Sequence, residues 1–425
     1  MDQRAVVIGD SAGARRAAAG LSVRGWDVTL VETRTPEAEP VVPSRGDSPL
    51  ATQVLGATGA LSSARSVWVG GRLRDLPLSA ADLARALPAG VLAGAARAWG
   101  RARGTLELKK LVGGGNETRT YRDWVVHGFG APIHDVLFAP YARKRWGDPS
   151  ALSCNVARLH HAWAPASARV RVAGDAEPSL SDAPGAGVRR VRATRAAVHV
   201  GENGGPARVE TDAGTFEGTV FADVAPAALV SRIAAVPAQA DRAAALRADA
   251  DALPARDLIE VRVLVDGRVG ETHVIDADIP FFLVDATGDG TVRAYAAVDP
   301  GTDAEEAPWV ARAVSALARM GVEAGPRGAR VLRSAAAQPV WSGPHLSRLR
   351  RHVIALAELG VVPVGRAGMH AMLDPVAELA WVDAAQAALA EDKPARALRE
   401  AMRVHVEPPP EDPPERPRLA ELVLA

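Results

Sequence analysis

The stretch "AVVIGDSAGARRAAAGLSVRGWDVTLVE", residues 5–32, joins two short apolar runs through a turn and an alanine-rich segment. Ala5–Ile8 and Val28–Val31 are runs of the length and composition of strands buried on both faces. Between them, Ala14–Val23 has helical propensity, with Gly25 as its stop. The pattern predicts a βαβ unit. In such a unit the first turn presents backbone N–H groups and the positive end of the helix to an anion, and an acid at the end of the second strand meets ribose hydroxyls. Glu32 stands in that place, 23 residues after Gly9.

The turn departs from the glycine-rich form. At the three positions of G-x-G-x-x-G stand Gly9, Ser11 and Ala14, with Gly13 beside them. Alanine suits the third position, where the demand is close helix packing, but Ser11 places a side chain where backbone should approach phosphate. Asp10 adds a negative charge there, and Arg15 and Arg16, on the first helical turn, are expected to be solvated. "GDSAG" also matches the G-x-S-x-G turn that presents a serine nucleophile, and a GDS turn near the N-terminus is similar to that of the GDSL-type esterases. No histidine follows an aspartate by three residues, so a hydrolase built on Ser11 is a minor alternative.

Across the 425 residues, 50 basic and 50 acidic side chains cancel, which argues against nucleic acid and anionic membrane surfaces as partners. Lysine occurs only at 109, 110, 144 and 393, so arginine carries nearly all the positive charge. The single cysteine, Cys154, excludes an intrachain disulfide and any CxxC motif, in keeping with a reducing compartment. The first strand begins too early for a signal peptide to precede it, and no apolar run reaches the roughly 20 residues of a membrane helix. These features lead to the expectation of a cytoplasmic protein without an integral membrane segment. His160 and His161 are adjacent and point apart, and His127 and His134 have no carboxylate at ligand spacing, so no metal site is expected.

Further along, "YRDWVVHGFGAPIHDVLFAPYARKRWGDPSALS", residues 121–153, carries Phe129-Gly130, then Phe138 to Tyr141, then Lys144 to Gly147. The order and spacing resemble a block of the FAD-dependent amine-oxidase superfamily, in its protoporphyrinogen-oxidase-like and UDP-galactopyranose-mutase-like branch. Three other segments resemble the same family in order: "GGRLRDLPL" at 70–78, "ARDLIEVRVLVDG" at 255–267 and "VVPVGRAGMHAMLDPVAELAW" at 361–381. The resemblance covers most of the chain. It implies an α/β architecture, a Rossmann-like FAD/NAD(P)-binding fold interleaved with a mixed-sheet substrate domain and a helical region. The units expected are 1–78, 188–235 and 346–395 for the dinucleotide-type domain, 79–165 for the helical region, 236–345 for the sheet domain and 396–425 for a Pro-rich tail.

Carried over residue by residue, the resemblance makes Gly9, Ser11, Gly13, Ala14, Glu32, Gly365, Arg366, Gly368 and Asp374 the cofactor-binding positions, several of them weakened. The family's Gly-Gly-Arg-like loop and its following strand have no counterpart in residues 33–50, residues 174–187 read as a polar loop, and Val376 is apolar where the family is polar. These losses coincide, and the expectation drawn from them is an eroded flavin site with no cofactor held. The leading reading is a non-redox pseudoenzyme or partner subunit, with a protein partner or self-association, or a flavin-independent protein holding a small apolar molecule in the old substrate cleft. The alternative is an FAD-dependent oxidoreductase acting on an apolar or cyclic small molecule.

Overall fold

The computed structural model describes residues 3–33, 65–97, 120–156, 187–200, 207–234 and 240–406, apart from short gaps at 76–77, 79, 95, 266–268, 287–289, 327, 372, 374 and 392. The opening unit forms as its pattern requires: β1 (Arg4–Ile8), α1 (Ala12–Val23) and β2 (Asp27–Glu32), with β1 and β2 parallel and Gly25 at φ +85° closing the helix. Side chains of β1 alternate between two apolar clusters, Ala5 and Val7 toward the α1 side, Val6 and Ile8 toward the other. A strand buried on both faces has no polar side to show, and this is why the run is continuously apolar.

Around this pair grows an eight-stranded sheet. Its other members are β5 (Val188–Arg192), β6 (Ala196–His199), β7 (Ala207–Thr211), β8 (Gly214–Ala222), β9 (Ile233–Ala234) and β15 (Val361–Pro363). The order is β5-β2-β1-β8-β7-β6-β9, with β15 also on β8. β5, β2, β1, β8 and β15 run parallel, so the C-terminal ends of β1, β2, β8 and β15 share one edge. That edge is where open α/β sheets bind ligands.

The second sheet has seven strands, β14 (Arg330–Pro339), β10 (Ala255–Leu264), β13 (Thr291–Val298), β12 (Leu283–Ala286), β11 (Glu271–Val274), β3 (Arg65–Val69) and β4 (Arg72–Asp75), in that order. One face is covered by the amphipathic helix spanning Glu306–Arg319, which buries Trp309, Val310 and Leu317 and stops before Gly321 at φ +77°. β3 and β4 fall within the stretch expected to belong to the first unit, yet they extend the second sheet. β3 pairs in parallel with β11, about 200 residues later, and Ser66 and Thr272 exchange a buried 2.8 Å hydrogen bond between them. Local pattern identifies a hairpin but not the sheet it joins.

Helices of the 121–153 block pack against the second sheet. Tyr121, Tyr141, Trp146, Phe129 and Phe138 pack on one another and on Phe282 of the second sheet. Lys144, in the helix Ala139–Arg145, reaches into the second sheet, where its Nζ donates to the carbonyls of Val274 (3.0 Å), Asp276 (2.6 Å) and Phe281 (3.4 Å). Burial pushes this ammonium down to about 7, against the pull of Asp276 and Asp278. Replacing Lys144 with Met keeps the stem and removes the donors, so Lys144→Met should cost about 2–3 kcal/mol of unfolding free energy, read by urea denaturation.

At the C-terminal end, helices Pro375–Leu389 and Pro394–His405 pack together. The second helix begins at Pro394 and runs through the first ten residues of the stretch expected to be a Pro-rich tail, 396–405. Leu398 and Met402 are buried at helical spacing, and Pro394 sits in its first turn, where a missing N–H costs nothing. The polyproline segment itself, 407–417, lies outside the described residues. Among the described residues no helix is long and apolar enough to cross a membrane, and no group of His, Cys, Asp and Glu could hold a metal ion.

Candidate functional site

The turn after β1 is made possible by Gly9, at φ +151°, where an added Cβ would lie 2.9 Å from both Ala14 Cβ and the Asp223 carbonyl oxygen. Ser11 caps α1, its Oγ accepting from Ala14 N at 3.0 Å. The same hydroxyl donates to Asp223, which stands one residue past β8 and is 6 % exposed. The second carboxylate oxygen of Asp223 accepts from Ala367 N (3.0 Å) and Gly368 N (3.1 Å), in the short helix Gly365–Gly368 that follows β15. Gly13 is tight against this carboxylate, since a Cβ there would lie 2.6 Å from its Oδ2. Gly365, at φ +63°, is closer still. Two segments remote in sequence thus converge on one anionic group, which a third part of the chain supplies.

The charges expected to be solvated are instead buried and paired. Arg15 donates to the Asp10 carbonyl at 2.7 Å and to Glu32 at 3.4 Å, while the Asp10 carboxylate accepts from Thr33 N. Asp10 therefore faces the end of β2 and not the phosphate side of the turn. Arg16 places two guanidinium nitrogens on one oxygen of Glu378, at 2.8 and 2.6 Å, and Glu378 is 1 % exposed. Both corrections have one cause: an acid at the end of β2 and another in the helix packed on α1 lie within reach of the first helical turn.

Of the positions named from sequence, Gly9, Ser11, Gly13, Ala14, Gly365 and Gly368 come together around Asp223, and Glu32 stands beside them with Arg15. Arg366 is buried in the short helix, Val376 is buried in the core, and Asp374 lies outside the described residues, as do residues 34–50 and 174–186. Among the described residues the Ser11 hydroxyl is partnered by the Asp223 carboxylate and by Ala14 N, and no histidine lies against it. Asp223 and Glu378 were not visible as site residues. The only signal was an aspartate directly after a buried apolar strand, in "GTVFAD".

Next to this cradle, at the same sheet edge, opens a cavity of about 790 Å³. Ala225–Ala227, just past Asp223, form part of its wall, and so does His370, just past the short helix. Trp146, Leu253 and Val340 supply apolar surface, while Arg143, Asp148, Asp251, Arg256 and Asp299 supply charge. Arg256 is engaged, with Asp299 at 3.2 Å and the carbonyls of Arg143 (3.0 Å) and Lys144 (2.9 Å). His370 holds a non-glycine φ of +45° and its carbonyl accepts from Trp341 Nε1 at 2.9 Å. Behind it His345 stacks on Trp341 with centroids 4.7 Å apart, and lies 5.2 Å from the His370 ring. Burial drives His370 down to about 3, His352 to about 4 and His345 to about 2, so all three are neutral at physiological pH.

No family model matches the sequence, and no curated protein matches it. Solved structures do. A reduced UDP-galactopyranose mutase superposes with a TM-score of 0.67 over 93 % of this chain and 97 % of its own, at 13 % identity. A protoporphyrinogen oxidase-like protein from Exiguobacterium sp. 255-15 gives 0.57 over 89 % and 97 %, at 15 % identity. An oxidoreductase from Methanosarcina mazei gives 0.55 over 86 % and 95 %, at 14 %. The chain therefore shares the fold of these three proteins, as the sequence resemblance implies. This comparison overturns the expectation that no cofactor is held, because the fold neighbours are FAD-binding enzymes and the present chain spans nearly all of their length. The geometry agrees with a group of that kind. The donors at α1 and at the short helix converge on one anionic group, the Asp223 carboxylate.

Proposed function

We propose that the protein is an FAD-dependent oxidoreductase acting on an apolar or cyclic small molecule held in the cavity between the two sheets. The observation that carries this reading is the cavity itself. Its volume, about 790 Å³, is that of a small-molecule site, and it shares the segments after Asp223 and after Gly368 with the anion cradle. The turn Gly9–Ala14 and the start of α1 would hold the pyrophosphate, Glu32 would accept from ribose hydroxyls, and Gly365–Gly368 would lie along the phosphate side. A bound flavin would supply the acceptor for a hydride or electron pair.

The chain's own residues supply the rest. Trp146, Leu253 and Val340 exclude water and favour an apolar substrate, and neutral His370 offers a hydrogen bond without a charge. The ion pair of Arg256 with Asp299 narrows the rim without leaving a net charge to attract anionic substrates. The cavity is tested by filling it. FAD-loaded wild-type protein, mixed anaerobically with a panel of apolar cyclic reductants, should lose its flavin absorbance with at least one of them. Val340→Trp should abolish that bleaching while leaving FAD binding intact. Bleaching that persists in Val340→Trp would place the substrate elsewhere, and a flavin that no compound reduces would favour a non-redox partner subunit of the same fold.

A further inference from the structure

We infer that the Asp223 carboxylate is an internal competitor for the phosphate-binding donors, which a dinucleotide must displace in order to bind. The inference rests on the reading of the cradle as a dinucleotide site. Its evidence is the set of partners. Ser11 Oγ, Ala367 N and Gly368 N, three donors from two separate segments, all point at this one carboxylate. These are donors at the start of α1 and beside β15, where the fold presents its backbone to a phosphate.

A second anion cannot join the first. The guanidinium groups that could neutralise the pair are already engaged, Arg15 with Glu32 and the Asp10 carbonyl, Arg16 with Glu378. Two negative charges within a few ångströms in a buried pocket repel strongly, so phosphate and carboxylate exclude each other. The Asp223 backbone is fixed by its N–H to Ile8 O at 2.8 Å, so the exchange is a movement of the side chain that withdraws the carboxylate and frees the donors. Asp223 thereby sets a threshold: only a ligand whose remaining contacts offset the lost carboxylate interactions is retained. A whole dinucleotide qualifies more readily than free phosphate or a mononucleotide.

The test compares FAD with riboflavin, which lacks the phosphates, on wild type and Asp223→Asn by titration calorimetry. Asparagine keeps the volume and an acceptor for Ala367 N and Gly368 N while removing the charge. The expected result is FAD binding at least about tenfold tighter in Asp223→Asn, with riboflavin unchanged. An unchanged or weaker FAD affinity in a folded variant overturns the inference, and so does a gain shared equally by riboflavin. Asp223→Ser, which removes both charge and reach, is read in the same way should the asparagine variant misfold. Wild-type binding reports separately on the cofactor reading: if only the variants bind FAD, the competitor is real and the native protein is not flavin-loaded. If no folded form binds, both fail.

Discussion

Lowering the pH from neutral to about 5 should remove about 6 kcal/mol of stability, enough to unfold the protein or nearly so. The source is His345, His352 and His370, each 2 % exposed or less and each held neutral by burial, with pKa values of about 2, 4 and 3. In the unfolded chain each titrates near 6.5. A folded pKa below the unfolded one means that the unfolded state binds more protons as acid is added. The stabilisation is therefore complete above about pH 6.5 and is lost as the pH falls from there toward the folded values, at about 2 kcal/mol per histidine by pH 5. Asp249 pulls His352 the other way, while His370 and Arg348 reinforce the shift at His345. Urea denaturation at the two pH values measures the difference. His352→Leu, which removes a side chain with no hydrogen-bond partner on either ring nitrogen, should flatten the pH dependence by about a third. A stability that does not change between the two pH values would contradict the burial of the cluster.

The second large effect is expected at Arg16. Its guanidinium and Glu378 form a pair that is nearly closed to solvent and that ties α1 to the C-terminal helix Pro375–Leu389. Arg16→Met leaves a carboxylate of 1 % exposure without its main counter-charge, and the loss should be about 3–5 kcal/mol. The double variant Arg16→Met, Glu378→Leu should recover most of that loss, because an apolar pair of similar volume pays no desolvation cost. A double variant as unstable as the single one would mean that α1 packing, and not the buried charge, accounts for the effect.

The fold was legible where neighbours in sequence are neighbours in space. Ala5–Ile8, Val28–Val31 and Gly25 announce their strands, helix and stop through local period and backbone freedom. The 121–153 block was legible through the spacing of its aromatic residues. What stayed hidden depends on long-range pairing. The segment 70–78 resembles its family counterpart, but the attachment of β3 to β11 is not written in any local pattern. The same holds for the site. Ser11 meets Asp223 across 212 positions and Arg16 meets Glu378 across 362, so no window of sequence contains either pair. The reading of Arg15 and Arg16 as solvated followed from helix position alone, and failed because tertiary partners decide the fate of a charge on a first helical turn. The expected loss of the cofactor came from coincident departures at Ser11, residues 33–50, residues 174–187 and Val376, each judged without its tertiary neighbours. The backbone cradle of Gly9, Gly13, Gly365 and Gly368 is a property of the assembled turns.

Whether this cradle takes a dinucleotide decides the central claim. Calorimetric titration of FAD into the wild-type protein at neutral pH should saturate at one equivalent per chain. Gly13→Val, whose side chain would occupy the position against the Asp223 carboxylate, should abolish the signal while the protein remains folded. Absence of saturable binding up to the solubility limit of FAD, or binding indifferent to Gly13→Val, would contradict that claim.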